Sequence, residues 1–193
     1  MNMASVTLTE GSSSSYLGGI VGRFLGSSSI RNCVNYGSIT YSETSMKNTR
    51  VGGITGVCGG EESKYIQNCV NYGTITYNGE SKNLYMGGIV GQSWYGTVIV
   101  ENCVSAGRIV NSTQASGKNY IGSIVGYINS YIEITITHCL WTSDVGHDNV
   151  YGHNGTNVTV TSTFLKELNT DTLDELNEYT EKNNTWSNWF MLI

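Results

Sequence analysis

The feature that most constrains this chain is a segment that returns four times. "GGIVG" at Gly18 becomes "GGITG" at Gly52, "GGIVG" at Gly87 and "GSIVG" at Gly122. A cysteine follows each copy, at Cys33, Cys69, Cys103 and Cys139. Their settings are "IRNCVNYGSIT", "IQNCVNYGTIT", "VENCVSAGRIV" and the degenerate "ITHCLWTS". The period is about 35 residues, in the range of solenoids, propellers and arrays, whose single units need a neighbour to bury their apolar face.

Aligned on the cysteines, the copies resolve into columns. Ile30, Ile66, Val100 and Ile136 precede the cysteine by three, and Val34, Val70, Val104 and Leu140 follow it. Ile39, Ile75 and Ile109 come next, and Leu17, Val51, Met86 and Ile121 stand before the glycine motifs. These β-branched and aliphatic positions lie in short alternating segments separated by Gly, Asn and Ser, the pattern of short strands joined by turns. The fold class expected is all-β, a parallel β-solenoid of about four such repeats. Successive coils then stack about 4.8 Å apart, and like residues form ladders.

Several ladders follow. Ile, Val and Cys are assigned to the interior, and Asn32, Asn68 and Asn102 to an amide ladder hydrogen-bonded along the axis. Tyr36 with Tyr72, and Tyr41 with Tyr77, are placed as stacks on an outer face. The recurring glycine pair predicts either a bend with positive φ or backbones too close for a Cβ. Polar stretches such as "YSETSMKNTR" and "NSTQASGKNY" read as exposed loops. Because 35 residues is generous for a narrow coil, a hairpin or protruding arm in each unit is a further expectation.

The ends differ from the middle. "VTLTEGSSSSYLGG" reads as the tail of a preceding repeat with Leu8 in the place of Ile39, so a start in mid-repeat, within a longer protein with further repeats or domains, is expected. Residues 1–145 are assigned to the solenoid and 146–193 to a C-terminal cap. The cap contains a strand in "NVTVTSTFLKEL", a helix in "NTDTLDELNEYTEKNN" and an aromatic tail. The helix is expected to start at Thr170 or Asp171 as N-cap and to present Leu173, Leu176 and Tyr179 on one face. Its place is over the last coil, whose core and strand edges would otherwise be open.

Composition excludes some functions. A net charge of −5 with no basic stripe argues against nucleic acid. No apolar run is long enough to span a bilayer, so no membrane insertion is expected in this segment. The cysteines form no CxxC pair, and parallel in-register side chains are poorly placed to bridge. They read as small core hydrophobes, with Cys58 off the ladder and free. His138, His147 and His153, with Asp144 and Asp148, offer metal-ligand types, but His138 occupies the Asn column, and no metal is assigned. "GGIVG" lacks the lysine and helix of a phosphate loop. Arg31, Gln67, Glu101 and Thr137 share one column and provide no carboxylate pair for glycoside hydrolysis. Sequons at Asn111, Asn154, Asn157 and Asn183 acquire meaning only in a eukaryotic secreted protein. No catalytic, cofactor-binding or metal residues, and no cofactor, are assigned, and the chain is expected not to be an enzyme.

"GIVG", "GITG", "GIVG" and "SIVG", with "NCVNYGSI" downstream, resemble the GLUG motif that occurs in tandem in large surface proteins of bacteria and some protists. Isoleucine stands here for leucine, and the resemblance covers roughly the first three quarters of the chain. It implies a β-solenoid at the cell surface or outside the cell, acting as an adhesin segment or stalk toward a host or environmental protein or glycan. It carries no catalytic residues. A carbohydrate-binding or carbohydrate-cleaving β-helix using Tyr36, Tyr41, Tyr72 and Tyr77 is the alternative. An ice-binding threonine array begun by "SIT" and "TIT" comes last, because Arg108 and Val110 interrupt it.

Overall fold

A computed structural model of the protein describes residues 1–9, 14–26, 29–44, 47–142, 149–167, 169, 171, 172, 174–176 and 178. The chain runs through five short strands per coil. The first coil holds β1 (Val6–Leu8), β2 (Ser15–Gly18), β3 (Val21–Phe24), β4 (Ser29–Arg31) and β5 (Val34–Asn35). The second repeats them as β6 (Ile39–Tyr41), β7 (Asn48–Gly52), β8 (Thr55–Cys58), β9 (Lys64–Gln67) and β10 (Val70–Asn71). In the third they are β11 (Ile75–Tyr77), β12 (Asn83–Gly87), β13 (Val90–Ser93), β14 (Thr97–Glu101) and β15 (Val104–Ser105). The fourth has β16 (Ile109–Asn111), β17 (Asn119–Gly122), β18 (Val125–Ile128) and a fused strand, β19 (Glu133–Trp141). A shortened fifth turn adds β20 (Tyr151–Asn154) and β21 (Thr159–Glu167).

Each strand pairs in parallel with its counterpart in the next coil, so the sheets run along the stack. This is the expected parallel β-solenoid. The first sheet is β1-β6-β11-β16, the second β2-β7-β12-β17, and the third β3-β8-β13-β18-β20. The fourth sheet unites β4-β9-β14-β19 with β5-β10-β15, and β21 joins β19. The rise from coil to coil takes 33 to 36 residues, falling to 26 at the last turn. Five short strands and the turns between them make up the coil, and among the described residues every strand pairing is parallel, so no hairpin is seen there. No described helix is long and apolar enough to cross a membrane.

The interior divides in two. One apolar cluster, with Ile54, Ile66, Ile89, Val100, Ile124 and Ile136, lies between the third and fourth sheets. The other, with Leu17, Ile39, Val51, Ile75 and Met86, lies between the first and second. Trp141 is partly buried against both.

Two expectations about register and facing are corrected. Val6, not Leu8, stands opposite Ile39, and Leu8 lies opposite Tyr41. The parallel bridge from Asn2 to Asn35 extends the same register, so "MNMASVT" aligns with "VNYGSIT". Tyr41 and Tyr77 are fully buried in the core, not on an outer face. Their rings stack at 5.2 Å with 9° between planes. Strand alternation explains the correction, since residues two apart share a face and Tyr41 therefore follows Ile39 inward.

The glycine pair has one of its two expected causes. None of Gly18, Gly19, Gly52, Gly53, Gly87 and Gly88 has a positive φ; crowding accounts for them. A Cβ on Gly53 would come within 2.1 Å of the Gly88 carbonyl oxygen and 2.3 Å of Asn71 Cγ. Ser123 takes this place in the fourth coil, where its N–H donates to the Asn149 carbonyl of the next turn.

At the C-terminus, residues 171, 172, 174–176 and 178 are helical. The expected N-cap at Thr170 or Asp171 is corrected to Asn169. Its Oδ1 accepts from the Thr172 N–H at 3.0 Å, while Thr172 Oγ1 accepts from the Asn169 N–H at 2.9 Å. This reciprocal pair is a capping box. Leu176 is buried in a cluster with Val34, Val70, Val104 and Leu140, separate from both interior cores. Leu173, Tyr179, the aromatic tail and Asn183 lie outside the described residues.

Candidate functional site

The cysteines take structural positions. Cys69, Cys103 and Cys139 are buried in one core, Cys33 is half-buried, and all five cysteines are free thiols. Each ladder thiol donates to the carbonyl two residues earlier: Arg31, Gln67, Glu101 and Thr137, at 3.2 to 3.4 Å. Cys58 lies off this ladder, in register with Phe24 and Ser93. Burial pushes its thiol up to about 12, so it stays protonated and a poor nucleophile near neutrality.

Asn32, Asn68 and Asn102 form the expected ladder. Asn68 Nδ2 donates to Asn32 Oδ1 at 3.3 Å, and Asn102 Nδ2 to Asn68 Oδ1 at 3.1 Å. All three have left-handed φ, between 52° and 62°, which Asn adopts at lower cost than most side chains. They turn the corner between the two parts of the fourth sheet. His138 continues the column with φ 50°.

A second, buried amide ladder was not read from the sequence. Asn2 Nδ2 donates to Asn35 Oδ1, and Asn35 Nδ2 to Asn71 Oδ1, both at 2.9 Å. Each rung also closes on the residue two further along. Asn35 Nδ2 donates to the Gly37 carbonyl, and the Gly37 N–H to Asn35 Oδ1; Asn71 does the same with Gly73. Asn35 and Asn71 were visible in "NCVNYG", but the cysteine alignment drew attention to the asparagine before the cysteine instead.

The other sequence candidates remain apart. Gln67 Nε2 donates to Glu101 Oε2 at 2.7 Å, so the carboxylate in that column binds an amide. His138 sits in β19 and His153 in β20, in different sheets. Among the described residues no three His, Cys, Asp or Glu side chains are grouped to hold a metal. Asp144, His147 and Asp148 lie outside the described residues. Thr7, Thr40 and Thr76 are in register, and Val110 ends that column. Tyr36 and Tyr72 stack at 4.9 Å with Tyr36 exposed, and they are the only members of the proposed tyrosine faces on the surface.

A cluster of aromatic and cationic side chains lies across the glycine corner between the second and third sheets. Aligning on the glycine pair instead of the cysteine reveals its two columns. In the second sheet Tyr16, Arg50, Tyr85 and Tyr120 are in register. In the third, Arg23, Val57, Gln92, Tyr127 and His153 are. Glycines between them, among them Gly56 and Gly91, sit against the opposing strands' backbones and bring the columns together.

Their side chains interlock. Tyr85 stacks on Tyr127 at 5.0 Å, Tyr120 on Tyr127 at 5.2 Å, and Tyr120 on His153 at 4.4 Å. The Arg50 guanidinium lies 5.0 Å from the Tyr16 ring centre and 5.6 Å from that of Tyr85. Arg50 also donates from Nε to Gln92 Oε1. Arg23 lies 5.4 Å from the Tyr16 ring and 5.2 Å from Trp94, which meets the exposed Tyr95 edge-on. Lys118 lies 5.8 Å from the Tyr120 ring. These distances are within cation–π range. Burial pushes the Arg50 pKa down, and nearby Arg23 adds to that effect against the opposing influence of Tyr16 and Tyr85.

The result is a strip of rings and guanidinium groups that crosses every coil, on strands fixed by backbone pairing. No protein-family model, curated protein or solved structure matches the chain.

Proposed function

We propose that this chain is a non-enzymatic β-solenoid module of a larger cell-surface or extracellular protein, and that it binds glycan through the strip between its second and third sheets. One observation carries the reading: stacked rings run along the strands, and the strip's half-buried or exposed members, Tyr16, Arg23, Trp94, Tyr95, Tyr120 and His153, leave ring surface and hydrogen-bonding groups accessible. Sugar rings offer apolar C–H faces and hydroxyl edges, and such a face matches both. A surface of this kind suits an extended chain, because it continues along the stack axis. The recurring "GIVG" segments, which resemble GLUG repeats of surface adhesins, support the location and the assignment as an adhesive or spacer segment.

A glycan array with the purified chain tests this. Binding is expected, and replacing Trp94 by Ala is expected to weaken it about tenfold, the equivalent of one lost stacking contact. Tyr36→Ala, in the other exposed tyrosine stack, is expected to leave it unchanged. An array without binding, or binding lost in Tyr36→Ala and kept in Trp94→Ala, overturns the assignment to this strip.

A further inference from the structure

The two arginines at the N-terminal end of the strip are unusual in their partners. Arg23 is exposed and held between the Tyr16 and Trp94 rings, and among the described residues it has no hydrogen-bond acceptor. Arg50 is half-buried against Tyr16 and Tyr85, and its acceptors are neutral: Gln92 Oε1 and, at 3.4 Å, the Asn48 carbonyl. Neither pairs with a carboxylate among the described residues, although the chain carries 15 acids against 10 bases. Two guanidinium groups thus converge on one tyrosine ring with no carboxylate paired to either among the described residues. Half-buried Arg50 has only neutral acceptors there, and an anion bound beside it and Arg23 would supply the missing counter-charge.

We propose that Arg23 and Arg50 form the anion-binding subsite for an acidic polysaccharide, one bearing carboxylate or sulfate groups on its sugar rings. The inference rests on the glycan-binding role of the strip and adds the charge of the ligand. The rings hold the guanidinium planes in place, so the free N–H edges of Arg23 are pre-oriented for a planar anion, which lowers the ordering cost of binding. The open face along the stack favours a polymer. Arg23 and Arg50 sit together at one end of the strip and Gln92 and the tyrosine rings beyond them are neutral, so a saccharide whose acidic groups are interspersed with neutral ring faces fits better than a nucleic acid with a phosphate at every nucleotide.

Affinity electrophoresis of the full chain in gels containing alginate, dextran sulfate, neutral dextran or single-stranded DNA tests the inference. Retardation by alginate or dextran sulfate is expected, decreasing with added salt, and the two arms separate carboxylate from sulfate recognition. Arg23→Gln is expected to weaken the binding about tenfold, and Arg23→Lys to restore part of it. Because Arg23 is exposed, an unchanged thermal melt distinguishes lost binding from lost folding. Retardation by neutral dextran alone, sensitive to Trp94→Ala and not to Arg23→Gln, overturns the anion subsite and leaves the glycan role standing. Retardation by none of the polysaccharides overturns both, and stronger Arg23-dependent retardation by single-stranded DNA overturns the saccharide assignment.

Discussion

At the scale of the residue, the fold depends on polar side chains placed where few would be tolerated. Asn71 is fully buried, yet each of its polar atoms has a partner: Oδ1 accepts from Asn35 and the Gly73 N–H, and Nδ2 donates to the Gly73 carbonyl. Burial without these bonds would cost free energy, and with them the amide fixes the corner and the coil register together. Asn71→Ala is therefore expected to destabilise the protein by about 2–4 kcal/mol, measured by denaturant unfolding. Asn68 makes similar bonds at a half-buried position where water can replace them. Its left-handed φ suits glycine, so Asn68→Gly is expected to cost less than about 1 kcal/mol. Equal losses in both variants would contradict the distinction between buried Asn71 and half-buried Asn68.

At the scale of the element, the corner between the second and third sheets is built by glycines that admit no side chain. In Gly53→Ala the added Cβ meets backbone oxygen and a ladder amide, and neither can withdraw without breaking hydrogen bonds. The expected loss is about 3 kcal/mol or more, read as a lower melting temperature. Gly26→Ala is the control: nothing lies within 4 Å of its new Cβ, and the melt is expected to stay unchanged. The same corner shows how far the sequence could be read. Repetition located the coils and the interior columns, because stacking makes each buried position recur at a fixed interval. It did not reveal that Tyr16, Arg50 and Tyr85 approach Arg23, Gln92 and Tyr127. That proximity depends on a sharp bend between two sheets, and the substitutions within each column conceal the repeat. Tyr41 was legible by alternation from Ile39, and the capping box at Asn169 and Thr172 was legible in its spacing. The second amide ladder needed the register of the Asn2 bridge.

At the scale of the whole molecule, stacking gathers thiols and phenols into the interior, and this bounds the pH range of stability. Burial raises the pKa values of Tyr41, Tyr77 and Tyr85 above the ordinary 10.0, and those of Cys58 and Cys103 above 9.0. Above pH 9 the unfolded chain releases protons that the folded chain retains. The stabilisation is thus complete below pH 9 and lost as pH rises, first through the thiols and then the phenols. His138 acts at the other end. Burial lowers its pKa below the ordinary 6.5, against the opposing charges of Glu101 and Glu175. The folded state therefore favours the neutral ring, and stability present above pH 6.5 declines as pH falls below it. Thermal melts followed by circular dichroism from pH 4 to 11 are expected to show a plateau between about 6.5 and 9. His138→Asn gives the sharper test, because three earlier coils hold Asn at the same left-handed corner. This variant is expected to fold, to reduce the decline below pH 6.5 and to leave the alkaline decline unchanged. An unaltered acid limb would show that other groups set the lower bound, and a melting temperature constant to pH 11 would contradict the burial of the thiols and phenols.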